Sequence, residues 1–263
     1  MIASVIARPG ISRAAGCFMD SRLSALFIKP FIRKNGIDTS EALPQKYKSF
    51  NDFFTRRLLP GARPFVMDKN TLPSPGDGLL SVYPVTKANT YPVKGTNYTL
   101  SALLDDEKIA SSFLGGTMLI FRLTPSHYHR YAFPDSGFIE NRKKIRGVFH
   151  TVRPAALENV PVFKTNTREY MLLNTENFGR MIYMEVGATM VGRIQNDVTQ
   201  GAFSRGQEKG RFEFGGSTII LILEKGAWHI LPEIRKNTQN EAEAPVKMGQ
   251  AVLTTQENHH EHA

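Results

Sequence analysis

The stretch FGGSTIILIL, residues 214–223, decides how this chain is read. Two glycines and two hydroxyl residues stand directly before an unbroken apolar run, Ile219 to Leu223. A short apolar run bounded by turn residues predicts a core strand, here over 217–224. What precedes the run admits two readings. Gly215 and Gly216 can reverse the chain while Ser217 and Thr218 satisfy local backbone groups. Alternatively, Gly216-Ser217 is a bond built to break itself.

Similar runs recur outward from this stretch, at 79–85, 117–123, 181–187, 189–195 and 250–255, and from residue 72 onward glycine and proline punctuate them. That pattern predicts a β-rich body. Residues 1–60 read instead as helices broken at Pro9-Gly10, Pro30 and Asn35-Gly36. The last of them spans 49–58, with Ser49 or Asn51 as its cap. The expected class is α+β, with mostly antiparallel sheets and a boundary between 1–65 and 66–263. The charged, glycine-rich segment 204–216 reads as an exposed loop. The polar tail 256–263 reads as a frayed end whose three histidines are solvated, so no metal site is expected.

At 263 residues, 41% hydrophobic and 22% charged, the chain can bury a sizeable core. Its single cysteine, Cys17, excludes an internal disulfide framework and reads as a small core hydrophobe beside Phe18. No apolar stretch reaches 18 residues and no signal-peptide core is present, so a cytoplasmic location is expected. The net charge is +9, and residues 1–63 carry +7 of it. Within that front end, SRLSALFIKPFIRK (21–34) interleaves Leu23, Leu26, Phe27, Ile28, Phe31 and Ile32 with cations, as an interfacial helix does. The same pattern fits a helix packed on its own domain with a solvated basic edge. Without zinc-finger spacing or an aromatic RNP motif, nucleic acid is not the expected partner; an anionic membrane is.

Three segments hold the reactive inventory: Asp77 in SPGDGLL, His127 and His129 in LTPSHYHRYAFPDSG, and Ser217 in GGST. Together they supply an acid, a base and a hydroxyl nucleophile. A lipase-type serine sits in a GxSxG elbow, and GGSTI lacks the second glycine, which disfavours ordinary serine hydrolysis.

Five blocks, SFNDFFTRRLLPGARP (49–64), LPSPGDG (72–78), LTPSHYHRYAFPDSG (123–137), TENFGRMIYMEVGATMVGRI (175–194) and GRFEFGGSTIILIL (210–223), follow the order found in phosphatidylserine decarboxylases. The chain resembles that family over most of residues 45–225. The resemblance implies that Ser217 attacks the carbonyl of Gly216 and ends as a pyruvoyl group, the covalent cofactor. A chain of residues 217–263 would then stay associated with a large chain ending at Gly216, as a heterodimer able to form homo-oligomers. Glycine's missing side chain permits the tight geometry this attack needs. The resemblance further implies conversion of phosphatidylserine to phosphatidylethanolamine at the cytoplasmic face of a membrane, to which the enzyme binds peripherally. It makes His129 the proton donor to the substrate.

One departure matters. Many family members carry a second histidine three residues after the YHR histidine, paired with the aspartate as the base for self-cleavage; here that position is Ala132. Three residues could replace it: His129 paired with Asp77, which is favoured, His127 in the same segment, or His150 in GVFHTVRP. TREY (167–170) does not match the family's pattern and is assigned no role. The rival readings are a pyruvoyl decarboxylase of another amine and an uncut membrane-binding scaffold.

Overall fold

The computed structural model describes residues 16–147, 166–187, 193–214 and 217–255. A 3-10 helix, Arg22–Phe27, leads into α1 (Ile28–Asn35), and α2 (Phe50–Phe54) follows. Next come β1 (Thr71–Pro73), β2 (Gly78–Pro84), β3 (Tyr91–Val93), β4 (Thr96–Tyr98), α3 (Leu100–Leu104) and α4 (Glu107–Ser112). The middle of the chain gives β5 (Thr117–Leu123), β6 (Arg130–Ala132), β7 (Gly137–Ile145), β8 (Arg168–Thr175) and β9 (Gly179–Gly187). The rest is β10 (Ile194–Asn196), β11 (Gly201–Phe203), β12 (Glu208–Phe212), β13 (Ser217–Leu223), β14 (His229–Ile230), α5 (Pro232–Gln239), β15 (Ala244–Val246) and β16 (Ala251–Thr254). The class is α+β, as expected, with helices mostly at the front and antiparallel sheets behind.

Eight strands form the main sheet, in the order β11-β7-β8-β9-β13-β5-β2-β15, every neighbour antiparallel. β13 pairs along its whole length with β9 on one side and β5 on the other, and every residue in it is buried. Successive side chains of a strand point to opposite faces. Ile219, Leu221 and Leu223 enter a core with Leu119, Phe121, Phe133 and Tyr183, which the small sheets β1-β16-β14 and β10-β12-β6 cover. Ile220 and Ile222 enter a second core with Met118, Tyr170, Leu103 and Phe113, under α3, α4 and the β3-β4 hairpin. Covered on both faces, β13 has no solvent side, which is why its sequence shows no polar alternation. Each such aliphatic burial contributes about 1.5–3 kcal/mol.

A third cluster joins the front end to this body: Ile28, Ile37, Phe50, Phe53 and Phe54 pack together with Phe31 and Phe214. Ser49 is the cap of α2, its Oγ accepting from the Asp52 N–H at 3.1 Å. Asn51 instead spans the joint, accepting from the Phe214 N–H at 3.1 Å and donating to Asp20 at 2.7 Å.

Four expectations need correction. The helix expected over 49–58 stops at Phe54. Pro30 neither ends nor precedes α1; it occupies the first turn, where its missing N–H has no helical partner to lose, and the helix stops at Gly36, whose φ of 58° suits glycine. Cys17 is exposed, because Met19 takes the inward position against the phenylalanine cluster. The supposed loop 204–216 contains β12, in which Lys209 and Phe212 are wholly buried. Of the strand expected over 189–195, only its end is described, as part of β10; residues 189–192 lie outside the described residues, as do 256–263.

Candidate active site

β13 begins at Ser217, opposite Leu123 on β5 and Gly187 on β9. Three chain segments thus meet at one end of the sheet. Thr124 continues from β5, and Asp77 stands one residue before β2, whose Leu79 faces Arg122. Ser217 is 1% exposed, and its Oγ has no hydrogen-bond partner. A buried hydroxyl ordinarily finds one, so this is a group held in reserve rather than a structural tie. Gly215 and Gly216, the other half of the expected cleavage site, lie outside the described residues.

The two histidines, two residues apart, occupy different surroundings. His127 closes a tight turn: its N–H donates to the Thr124 carbonyl at 3.1 Å, and its Nδ1 accepts the Thr124 N–H at 2.9 Å. In the neutral ring the proton therefore sits on Nε2. Burial lowers the basicity of His127, and the nearby Asp77 carboxylate partly offsets this. His129 stands just before β6 and is 1% exposed, its ring tilted on that of Phe54 with centroids 3.8 Å apart. Its Nδ1 has no partner. Burial, then the Arg56 and His127 charges, hold its pKa well below the usual histidine value, so the ring is neutral at pH 7.

Asp77 has no hydrogen bond to His129. Arg63 grips both of its oxygens, Nε to Oδ1 at 2.8 Å and Nη2 to Oδ2 at 2.7 Å, and the Met248 N–H adds a third bond at 2.9 Å. The remaining Arg63 nitrogen donates to Glu41 and to the Ala62 carbonyl, both at 2.7 Å. Burial works against the Arg63 charge, but these carboxylates outweigh it and raise its pKa. Of the two histidines, His127 is the one that shares a cleft with Asp77. That cleft, of about 490 Å³, is lined by Asp77, Arg63, His127, Tyr128 and Arg56 among others, while Ser217 and His129 lie outside its lining. His150 falls outside the described residues.

Ala132 is itself well placed. Buried in β6, it donates its N–H to the Pro75 carbonyl at 2.9 Å, which puts position 132 against the loop carrying Asp77. Position 132 is thus held next to that loop and carries no imidazole. Sequence reasoning missed Arg63, Arg56 and Phe54. All three stand in SFNDFFTRRLLPGARP, whose basic residues were counted only as surface charge.

The phosphatidylserine decarboxylase family model matches residues 50–254. The chain is 43% identical over 253 residues to the phosphatidylserine decarboxylase proenzyme of Ruminiclostridium cellulolyticum, covering 94% of this chain and 84% of that protein. It is 44% identical over 246 residues to the proenzyme of Clostridium perfringens, covering 92% and 84%. To phosphatidylserine decarboxylase proenzyme 2 of Clostridium acetobutylicum it is 41% identical over 244 residues, covering 93% and 84%. These matches place the chain among decarboxylases made as proenzymes. It belongs to the phosphatidylserine decarboxylase family.

Proposed function

We propose that this chain decarboxylates phosphatidylserine to phosphatidylethanolamine, using a pyruvoyl group made from its own Ser217. The unpartnered, buried Ser217 Oγ at the head of the central strand carries the reading. It fits a residue converted in place, since no structural hydrogen bond is lost when the hydroxyl is consumed.

In maturation, the Ser217 Oγ gives up its proton and bonds to the Gly216 carbonyl carbon as the peptide C–N bond breaks, leaving an ester and a free amine. Loss of the α-proton expels the Gly216 carboxylate, and loss of ammonia to one water leaves a ketone at residue 217. His129 is the base we assign to the first proton, because a neutral imidazole with an unpartnered nitrogen can accept it. Asp77, held by Arg63, fixes the charge of the cleft beside His127, the alternative base. The pyruvoyl group supplies the electron sink for loss of carbon dioxide. Toward substrate, His129 takes a proton from the ammonium group and returns one to the carbon that has lost its carboxylate. The apolar walls of β13 keep water out.

The front end, residues 1–65, docks on the cytoplasmic face of an anionic membrane. Leu23, Leu26 and Phe27 are more than half exposed, and Arg33 and Lys34 lie in the last turn of α1 beside them. Among the described residues, no helix is long and apolar enough to cross a membrane. The body, residues 66–263, carries the reacting residues, and after the cut the protein is two chains, 1–216 and 217–263, with homo-oligomers open to it. Intact mass spectrometry of purified protein tests the reading: two fragments divided at 216/217, the smaller with a ketone N-terminus, together with release of carbon dioxide from phosphatidylserine vesicles. A single full-length chain without activity would leave the scaffold reading; two fragments acting only on a soluble amine would replace the substrate.

A further inference from the structure

Arg56 is 3% exposed, and its Nε and Nη1 have no acceptor. Other deeply placed arginines are provided for. Arg63 has Asp77 and Glu41; Arg168 donates to the carbonyls of Leu103, Ala102 and Asn166; Arg205 has Asp135 and three carbonyls. Its own neighbour Arg57 is exposed and reaches Glu208. A guanidinium taken out of water with two nitrogens lacking acceptors is strongly unfavourable, and burial outweighs what the Phe53 ring, 5.1 Å from Cζ, and the field of nearby Tyr47 and Asp77 give back. Arg56 also lines the 490 Å³ cleft with Asp77 and His127, and its charge acts on His129. The cleft's carboxylates do not complete it: Asp77 and Glu41 are held by Arg63, and Asp38 accepts from the Ser40 N–H.

We propose that Arg56 binds the phosphodiester of the substrate headgroup. This rests on the phosphatidylserine reading above. The substrate has two anionic groups, and physical chemistry separates them. An arginine on the carboxylate would stabilise a charge that disappears as carbon dioxide leaves, holding the ground state below the transition state and slowing the reaction. The phosphodiester keeps its charge from substrate to product, so a cation there adds binding without opposing the chemistry. Three bonds separate phosphorus from the reacting carbon in a serine phosphodiester, which suits an anchor placed beside His129. Arginine's planar donors match phosphate oxygens.

The test uses mature wild-type enzyme and its Arg56→Met and Arg56→Lys variants, each first checked by intact mass, with a soluble short-chain phosphatidylserine. Glycerophosphocholine serves as the inhibitor, since it has a phosphodiester but neither a carboxylate nor a primary amine. Arg56→Met is expected to raise KM and the inhibition constant together by about 10- to 100-fold, the loss of charge-assisted hydrogen bonds, with Arg56→Lys in between. The melting temperature of ligand-free Arg56→Met should rise, because an unmatched buried charge has gone. Unchanged inhibition by glycerophosphocholine, or a loss confined to kcat, overturns the assignment. So does equally strong inhibition of wild type by inorganic phosphate, which would make this a general anion site. Should Arg56→Met fail to mature, glycerophosphocholine titrated calorimetrically into uncut Ser217→Ala and into Ser217→Ala/Arg56→Met decides it: equal binding overturns the proposal. A wild-type enzyme inactive on phosphatidylserine would instead refute the function proposed above.

Discussion

Two sets of polar groups solve opposite problems. In the cleft, Asp77, Arg63 and Glu41 form a chain of charged hydrogen bonds in which each partner is satisfied. Outside its lining, Ser217 Oγ and His129 Nδ1 are each buried and satisfied by nothing. The first arrangement is what a stable fold does with polar groups; the second forgoes hydrogen bonds that would have stabilised it. In the proposed mechanism it is the unused capacity, rather than the paired charge, that is assigned the chemistry.

The sharpest way to break this contrast is to remove the hydroxyl. Ser217→Ala should abolish cleavage altogether, seen as one full-length band and mass, while the fold persists because no hydrogen bond is lost. His129→Ala should come next, slowing maturation by about 10²- to 10⁴-fold, the usual contribution of a positioned base. A time course of fragment appearance measures it, and unchanged cleavage in His129→Ala with loss in His127→Ala would move the base into the cleft.

A third experiment uses a buried pair with no role in the chemistry. Lys209 and Glu185 are both wholly buried, joined at 2.5 Å, with Asn196 bonded to each and the Tyr183 ring 4.7 Å from the ammonium. Glu185→Ala should cost about 3–5 kcal/mol in urea unfolding of the uncut Ser217→Ala chain, because it strands the lysine, whereas Glu185→Leu with Lys209→Met should be close to neutral. If the double variant is as damaged as the single one, the pair is doing more than filling the core.

The smallest effect is one of pH. His127 and His129 both have folded pKa values below the ordinary 6.5, so the unfolded chain binds protons that the folded chain does not. Their contribution to stability is therefore full above about pH 6.5 and falls as pH drops toward their folded values, by up to about 1.4 kcal/mol per pH unit for each group. His129→Gln in the uncut chain should flatten that slope; an equal slope in both proteins would mean His129 is protonated as readily folded as unfolded.

Much of this was legible in the letters. The run Ile219 to Leu223 announced a core strand, and the cap of α2 was narrowed to Ser49 or Asn51, since periodicity and capping are local properties. β12 was hidden because its buried lysine is indistinguishable from a surface one until Glu185 arrives from another strand. The Asp77 partnership was equally non-local: Arg63 lies 14 residues away, and nothing in its spacing distinguishes it from the other cations of the front end. The two histidines stand in one segment two residues apart, yet Thr124 engages one and Phe54 the other. A local turn holds one ring and the front-end helix α2 covers the other, so their surroundings, not the residue type, separate them.

The position of β13 has one more consequence. It lies between β9 and β5, hydrogen-bonded to both along its full length, and it would be the first element of the smaller fragment. Before the cut, threading it into the sheet is a unimolecular event; afterwards the same insertion would require two separate chains to meet. If the chain is cut as proposed, folding would have to come first and scission second, and the mature protein would be a product that cannot readily be rebuilt from its parts. On that reading activation would work as an inspection: a molecule whose central strand never seats would keep its peptide bond, and so never acquire the group proposed to make it an enzyme.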